Sequence, residues 1–290
     1  MVLITGITGL TGRFLYQEIR ISMPNEKIRY LVRETSDVSC IRDGEEIVFG
    51  DVTDWQQVSN NLNGVNTVIH LAYIHNSGNI IKACKATGVK RVIFVNTTGM
   101  FSKYKKYAQD YIKWEHNIKQ SGLIYTIIRP TMIYGNERDV NIHYLTMLMD
   151  KLPLFPVIGK GDGLMQPIYA HDLAKVILSA YINEEVCRFK EYNVAGKEPI
   201  RYINLLRSIA AALGKKRYFI HIPYSLALLV GRIGDIIPNG LIDYEKVQRL
   251  LEDKNFDYSE ATRDFHFYPL AFEDGVRHEV DALRQGGFIK

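Results

Sequence analysis

Over the first 130 positions, apolar residues come in short unbroken runs separated by amphipathic stretches. Met1–Ile4 is one such run, and a helical pattern follows over Arg13–Ile21. Further runs rich in Val, Ile and Phe span Lys27–Arg33, Glu46–Phe49, Thr67–Leu71, Arg91–Asn96 and Leu123–Arg129. Their lack of alternation predicts strands buried on both faces, as in a parallel sheet. Helical spacing predicts helices over Asp54–Asn60, Ser77–Thr87 and Tyr104–Gln120. Strands and helices alternating in this way predict a doubly wound α/β fold.

The junction between the first strand and first helix reads Gly6-Ile7-Thr8-Gly9-Leu10-Thr11-Gly12. Gly6 permits a tight turn, Gly9 lets backbone amides approach a pyrophosphate, and Gly12 lets helix and strand pack closely. Unpaired amides and the dipole at a helix N-terminus favour an anion there. Gly6, Gly9 and Gly12 are therefore candidate dinucleotide contacts at the end of the first strand. No Gly-Lys-Ser/Thr follows, which argues against a Walker-type nucleoside triphosphate site.

After Pro130 the rhythm loosens. Helices are expected at Ala170–Tyr181, with a cap near His171-Asp172, and at Ile200–Leu213, Asp243–Leu251 and Phe272–Gln285. Glu191–Val194 and Arg217–Ile222 read as strands, and Gly159–Gly163 as a surface turn. The division expected is a dinucleotide-binding domain over residues 1–130 and a smaller α+β substrate lobe over 131–290, partly interleaved with the first. The most apolar stretch, Ile222–Ile242, contains Pro223, Arg232, Asp235, Pro238 and Asn239. It reads as a packed helix rather than a membrane span, with peripheral membrane contact as the alternative.

Composition narrows the function classes. At 290 residues and 47% hydrophobic, the chain can bury a substantial core. Its net charge of +4 is spread without a basic block, so no nucleic-acid partner is expected. Cys40, Cys84 and Cys187 are scattered, with no C-x-x-C pair, so neither a disulfide framework nor a metal is expected. With no basic leader before the first strand, the expected location is cytoplasmic.

In such folds ligands lie at the carboxyl ends of the strands. The second strand ends Arg33-Glu34-Thr35-Ser36, where Arg33 and Ser36 suit a 2′-phosphate and favour NADP(H) over NAD(H). Glu34 carries the competing reading, a carboxylate on the ribose hydroxyls. Asp51 and Val52 follow the third strand, placed for adenine or for a simple loop before a helix cap. Leu71 and Ala72 close the fourth, where a small residue lets the cofactor pass. His70 reads as a core histidine. The fifth ends Asn96-Thr97-Thr98-Gly99, followed by Tyr104, Tyr107 and Tyr111, and the sixth ends Arg129-Pro130 through Ile133-Tyr134-Gly135. A hydroxyl on one strand end facing a tyrosine on the next helix suits proton transfer beside a nicotinamide.

Taken together, Thr5–Gly12, Gly50–Asp54, His70-Leu71-Ala72, Arg129-Pro130 through Gly135, Gln166–Tyr169 with Asp172, Tyr192-Asn193-Val194 and Phe256–Ser259 resemble the extended and atypical short-chain dehydrogenase/reductase superfamily. The resemblance covers nearly the whole chain, and its nearest kin are NAD(P)-dependent sugar-nucleotide epimerases, dehydratases and reductases. It implies that Gly6, Thr8, Gly9, Leu10 and Gly12, with Thr11 beside them, hold the phosphates, Asp51 and Val52 the adenine, and Leu71 and Ala72 the cofactor path. It further implies Thr97 as the catalytic Ser/Thr and Tyr107 as the acid/base tyrosine. Asn96, Tyr107, Tyr111, Pro130 and Ile133 complete the cofactor set. One departure stands out: the family places a lysine four residues after the tyrosine, and here that position is Tyr111. None of the 18 tyrosines has Lys at +4; Lys103, Lys106 and Lys113 are the candidate substitutes, of which Lys103 stands four residues before Tyr107, on its face if the helix extends that far.

The function expected is NAD(P)-dependent oxidation–reduction or epimerisation of a sugar nucleotide or related hydroxyl/keto compound. The missing lysine motivates the alternative, a non-catalytic NADP(H) sensor or structural protein. A small apolar carbonyl substrate under a lid of Met147, Leu148, Leu152, Leu154 and Phe155 is the third reading, against which these residues simply build core. A homodimer through a four-helix bundle is expected by analogy alone.

Overall fold

The computed structural model describes residues 1–234 and 244–290. Its strands are β1 (Val2–Thr5), β2 (Ile28–Val32), β3 (Glu46–Phe49), β4 (Thr67–His70), β5 (Arg91–Val95), β6 (Ile124–Pro130), β7 (Ile133–Tyr134), β8 (Leu154–Ile158), β9 (Leu164–Met165), β10 (Ile168–Tyr169), β11 (Lys190–Val194), β12 (Ile200–Arg201) and β13 (Tyr218–Ile222). Its helices are α1 (Leu10–Ser22), α2 (Trp55–Asn60), α3 (Ser77–Thr87), α4 (Ala108–Lys119), α5 (Ile142–Lys151), α6 (Ala170–Ile182), α7 (Glu184–Cys187), α8 (Tyr202–Leu213), α9 (Tyr224–Gly234), α10 (Tyr244–Arg249), α11 (Ser259–Phe265) and α12 (Phe272–Gln285).

Seven parallel strands form the main sheet in the order β11-β6-β5-β4-β1-β2-β3. Strand order reverses between β1 and β4, and ligands bind beyond the strand ends at such a switch point. Both faces are covered. Val2, Ile4, Ile69 and Ile93 pack with Ile19 of α1 and Leu173 and Ile177 of α6. The alternate residues Leu3, Val68, Val92 and Phe94 pack with Ile80 of α3 and Ile118 of α4. Period-two division of continuous apolar runs is what a doubly covered sheet requires.

The second half adds β11 to this sheet and builds its own core from α5, α8, α12 and β8. Arg91 fastens the halves: its guanidinium donates to the carbonyls of Ala180 (2.6 Å) and Tyr181 (2.8 Å) at the α6 C-terminus, where a cation suits the dipole. Phe155 is buried and Met147 packs on this core, whereas Leu148, Leu152 and Leu154 are exposed. No helix among the described residues is long and apolar enough to cross a membrane. In α9 the small Ala227 and Gly231 face inward, while Leu226, Leu229, Val230 and Ile233 are exposed. Asp235, Pro238 and Asn239 of the same apolar stretch lie outside the described residues.

Several helix starts differ from expectation: α1 begins at Leu10 rather than Arg13, and α8 at Tyr202 rather than Ile200. The helix expected from Tyr104 begins at Ala108 because the preceding residues are held otherwise: Ser102 Oγ accepts the Lys105 amide at 3.0 Å and donates to Glu252 at 2.6 Å. The helix at Ala170 has no side-chain cap; Asp172 instead accepts the Leu270 amide at 2.8 Å. Strands β7, β8, β9 and β10 and helices α5, α7 and α11 are not expected from the sequence, β12 takes the first two residues of the helix expected from Ile200, and α9 lies within the apolar stretch read as a packed helix.

His70 is fully buried at the end of β4. Its Nδ1 pairs with Thr5 Oγ1 at 2.8 Å and its Nε2 with the Tyr73 carbonyl at 3.3 Å. Burial pushes its pKa down to about 4, against the opposing pull of the Tyr73 carbonyl. Between roughly pH 6.5 and 4 the unfolded chain therefore binds the extra proton, and stability falls as pH falls. The loss attributable to this residue should reach about 3 kcal/mol at the acid end. Urea unfolding at several pH values should show it in the wild type and lack it in His70→Gln; equal slopes in both would refute the account.

At the β1–α1 junction, a Cβ on Gly12 would lie 2.4 Å from the carbonyl oxygens of both Gly6 and Ile7. Backbone cannot yield cheaply there, so Gly12→Ala should cost about 3 kcal/mol in thermal or urea unfolding. A variant as stable as wild type would mean the turn has slack.

Candidate active site

β1 runs into a turn in which Gly6 adopts φ +77° and accepts the Gly9 amide at 3.1 Å. A Cβ on Gly6 would sit 2.8 Å from the Ala72 nitrogen, so the loop after β4 lies directly against this turn. Gly9 is the N-cap of α1, and no side chain caps it. The first-turn amides of α1 are thus left beside a surface that only glycines could form. That cradle fits a dinucleotide pyrophosphate.

Beyond it lies a cleft of about 860 Å³ at the carboxyl ends of β5 and β6. Five of the expected residues line it together: Leu10, Asn96, Thr97, Pro130 and Ile133. Thr97 Oγ1 accepts the Gly99 amide at 3.0 Å, which leaves the hydroxyl proton free for another acceptor. Behind it, Asn96 donates to Glu115 Oε2 at 2.9 Å, and Arg129 clasps both carboxylate oxygens of Glu115. Burial pushes Glu115 up, but the Arg129 and Asn96 hydrogen bonds outweigh it and hold the group below the usual carboxylate range. The buried Asn96 Oδ1 has no partner among the described residues.

Other expected contacts lie around the rim of the sheet. Arg33 is exposed; its amide donates to Ser36 Oγ at 3.2 Å, and the Ser36 amide returns to the Arg33 carbonyl at 2.9 Å. Glu34 is also exposed. The next residue but two, Asp37, pairs with Arg13 (2.5 Å) and with the cleft residue Arg138 (3.2 Å). Hydrogen bonds from Ser39, then from Arg13, hold its carboxyl well below the ordinary range. Asp51 Oδ1 accepts both the amide and hydroxyl of Thr53 at 2.8 Å, which holds it low, while Asp54 caps α2. Val52 is half-buried, and its carbonyl accepts from Asn79 at 3.1 Å. Thr8 offers its carbonyl to Arg13 Nε at 3.2 Å, and Thr11 lies in the first turn of α1.

The tyrosines part company. Tyr107, the N-cap of α4, is 54% exposed and does not line the cleft. Tyr111 packs edge-on against Trp114, with Lys105 Nζ 4.5 Å above its ring. Tyr104 and Lys105 line the cleft instead.

Of the cleft's cations, sequence reasoning reached only Lys103. Lys103, Lys105, Arg138, Arg249 and Lys254 line it, against Asp139, Glu252 and Asp253. Each acid accepts main-chain amides: Asp139 from Asn141 and His143, Glu252 from Lys103, and Asp253 from Leu164. Burial, reinforced by Arg249, pushes Lys254 down to about 8. The run Lys103-Tyr104-Lys105-Lys106 just past β5 was a local signal; Arg249 and Lys254 reach the cleft only through the fold.

Comparison with known proteins agrees with this geometry. A family model described as NAD(P)H-binding matches residues 6–181. The chain is 23% identical over 271 residues to N-acetyl-alpha-D-glucosaminyl-diphospho-ditrans,octacis-undecaprenol 4-epimerase of Escherichia coli O157:H7, covering 81% of this chain and 79% of that protein. It is 23% identical over 252 residues to quinone oxidoreductase 2 of Escherichia coli K12, covering 84% and 85%. The UDP-glucose 4-epimerase of Thermotoga maritima, solved with UDP-glucose, superimposes with a TM-score of 0.77 at 15% identity, covering 98% of this chain and 99% of that one. The chain belongs to the NAD(P)H-binding family and is an NAD(P)-dependent enzyme on a Rossmann-type fold.

Proposed function

We propose that this enzyme oxidises and reduces, or epimerises, a sugar carried on a diphosphate, such as a sugar nucleotide, with NADP(H) as the preferred cofactor. The observation that carries the reading is the cleft beside the glycine turn, where five cationic side chains outnumber three acids. A diphosphate is the complementary charge, and guanidinium and ammonium groups are its usual partners. The epimerase relatives, whose names specify diphosphate-linked sugars, support the same class.

When bound, the cofactor supplies hydride exchange at its nicotinamide ring. The chain's own residues do the rest. Gly6, Thr8, Gly9, Leu10, Thr11 and Gly12 hold the pyrophosphate, and Asp51, Val52, Leu71 and Ala72 border the adenosine path. Arg33 and Ser36, beside the Arg13–Asp37–Arg138 cluster, favour a 2′-phosphate. Thr97 hydrogen-bonds the reacting oxygen through its free hydroxyl, and Asn96 is fixed by Glu115 behind it. Arg138, Arg249, Lys103 and Lys254 draw in the substrate diphosphate.

Arg33→Ala should weaken NADPH binding about tenfold while leaving NADH within about threefold, since a charge-assisted contact to one phosphate is lost. Fluorescence titration with both reduced cofactors reads this; parallel losses would remove the case for NADP(H).

Thr97→Val should lower turnover of UDP-glucose or UDP-N-acetylglucosamine about a hundredfold. Tyr107→Phe, outside the cleft, should lower it by less than about tenfold. A hundredfold loss in Tyr107→Phe would hand the proton step to that phenol, as the family resemblance implies.

A further inference from the structure

The chain lacks a lysine one helical turn after Tyr107, yet a lysine ammonium stands beside Thr97 by another route. We propose that Lys105 is a catalytic residue: its ammonium, with the Thr97 hydroxyl, hydrogen-bonds the oxygen that is oxidised or reduced and exchanges its proton. This rests on the hydride-transfer reading given above.

The geometry centres on Gly99. The point where a Cβ would stand on this residue lies 2.7 Å from Lys105 Nζ and 3.2 Å from Thr97 Oγ1. The two polar atoms therefore flank one glycine, and both residues line the cleft. Lys105 is held there from several sides. Its amide donates to Ser102 Oγ, which Glu252 fixes at 2.6 Å, and the neighbouring Lys106 amide donates to Glu245 at 3.3 Å. Its Nζ lies 4.5 Å from the centre of the Tyr111 ring, the residue at the family's lysine position. Among the described residues its ammonium makes no salt bridge. Lys254, by contrast, spends its ammonium on the Arg249 carbonyl at 2.6 Å.

The charges facing Lys105 prepare it for proton transfer. Burial lowers its pKa, the Arg249 cation lowers it further, and Glu245 opposes them. A lysine shifted toward neutrality both gives and takes a proton near pH 7 more readily than a solvated one.

The step balances without further reagents. In the reducing direction the carbonyl carbon accepts the hydride supplied by reduced cofactor, and the C=O π pair moves to oxygen. That oxygen takes a proton from Lys105 Nζ, and water re-protonates the amine. In the oxidising direction neutral Lys105 would take the hydroxyl proton as the carbon gives its hydride to oxidised cofactor, and the O–H pair becomes the C=O π bond.

Competitive acetylation of the intact protein, read by mass spectrometry across pH 6–10 with and without saturating NADP⁺, tests this without needing a substrate. Lys105 should titrate below the exposed lysines, and NADP⁺ should suppress its labelling about tenfold. In parallel, Lys105→Met and Gly99→Ala should bind NADPH within about threefold of wild type but turn over UDP-sugars about a hundredfold more slowly. Gly99→Ala places its new methyl against both the flexible lysine tip and Thr97 Oγ1, so it disturbs the pair together, while Lys105→Met isolates the lysine. Lys105→Arg should retain tight cofactor binding without restoring proton exchange. Unprotected Lys105 in a protein that still binds NADPH, or wild-type turnover by Lys105→Met, overturns the proposal. Failure of the wild type to turn over any diphosphate sugar strikes the substrate class instead, and the labelling result still decides Lys105. Failure to bind any dinucleotide overturns both.

Discussion

Three backbone segments meet at the β1–α1 turn with no room for a side chain between them. Gly12 lies under the Gly6 and Ile7 carbonyls, and Gly6 lies against the Leu71–Ala72 peptide. That closeness places the N-terminus of α1 over the switch point of the sheet, where its amides face the strand ends. It also sets where Leu10 enters the cleft wall and how α1 packs on α6 through Leu15, Ile19, Leu173 and Ile177. The site is thus positioned by steric exclusion at two glycines before any polar group acts.

The second constraint works from the opposite side. Glu252, 150 residues beyond Ser102 in sequence but adjacent in space, binds Ser102 and the Lys103 amide with both oxygens at 2.6 Å. Glu245 adds a bond to the Lys106 amide. The segment after Thr97 is therefore held as a turn rather than as the first turn of α4. The consequence is chemical: Tyr104 and Lys105 face the cleft, and Tyr107 faces solvent.

The Rossmann half was legible because its signals are local. Unbroken Val/Ile runs mark doubly covered strands, and Glu46–Phe49, Ser77–Thr87 and Phe272–Gln285 have the expected bounds. The glycine turn was legible for the same reason: only glycine meets its φ and its close contacts. Leu10, Asn96, Thr97, Pro130 and Ile133 gather in one cleft, as strand-end positions should. What escaped was set by distant contacts. Nothing near Lys254 announces that it will meet Met165 and Arg249, and nothing in the 102–107 sequence shows that two glutamates beyond residue 240 will delay the helix.

The same delay explains how a site can lose one lysine and keep its charge. In an uninterrupted helix, position 111 shares a face with 107, and a cation there would stabilise a phenolate at 107. Here α4 starts one residue after Tyr107, whose carbonyl still accepts the Tyr111 amide at 3.3 Å, but position 111 carries an aromatic ring that lies against Lys105 instead of a cation. The ring gives the ammonium a non-hydrogen-bonding neighbour, attractive enough to hold it yet unable to neutralise it. A carboxylate at the same place would fix the lysine as a permanent cation and raise its pKa. An aromatic ring leaves the proton available, which is the property a group beside Thr97 needs.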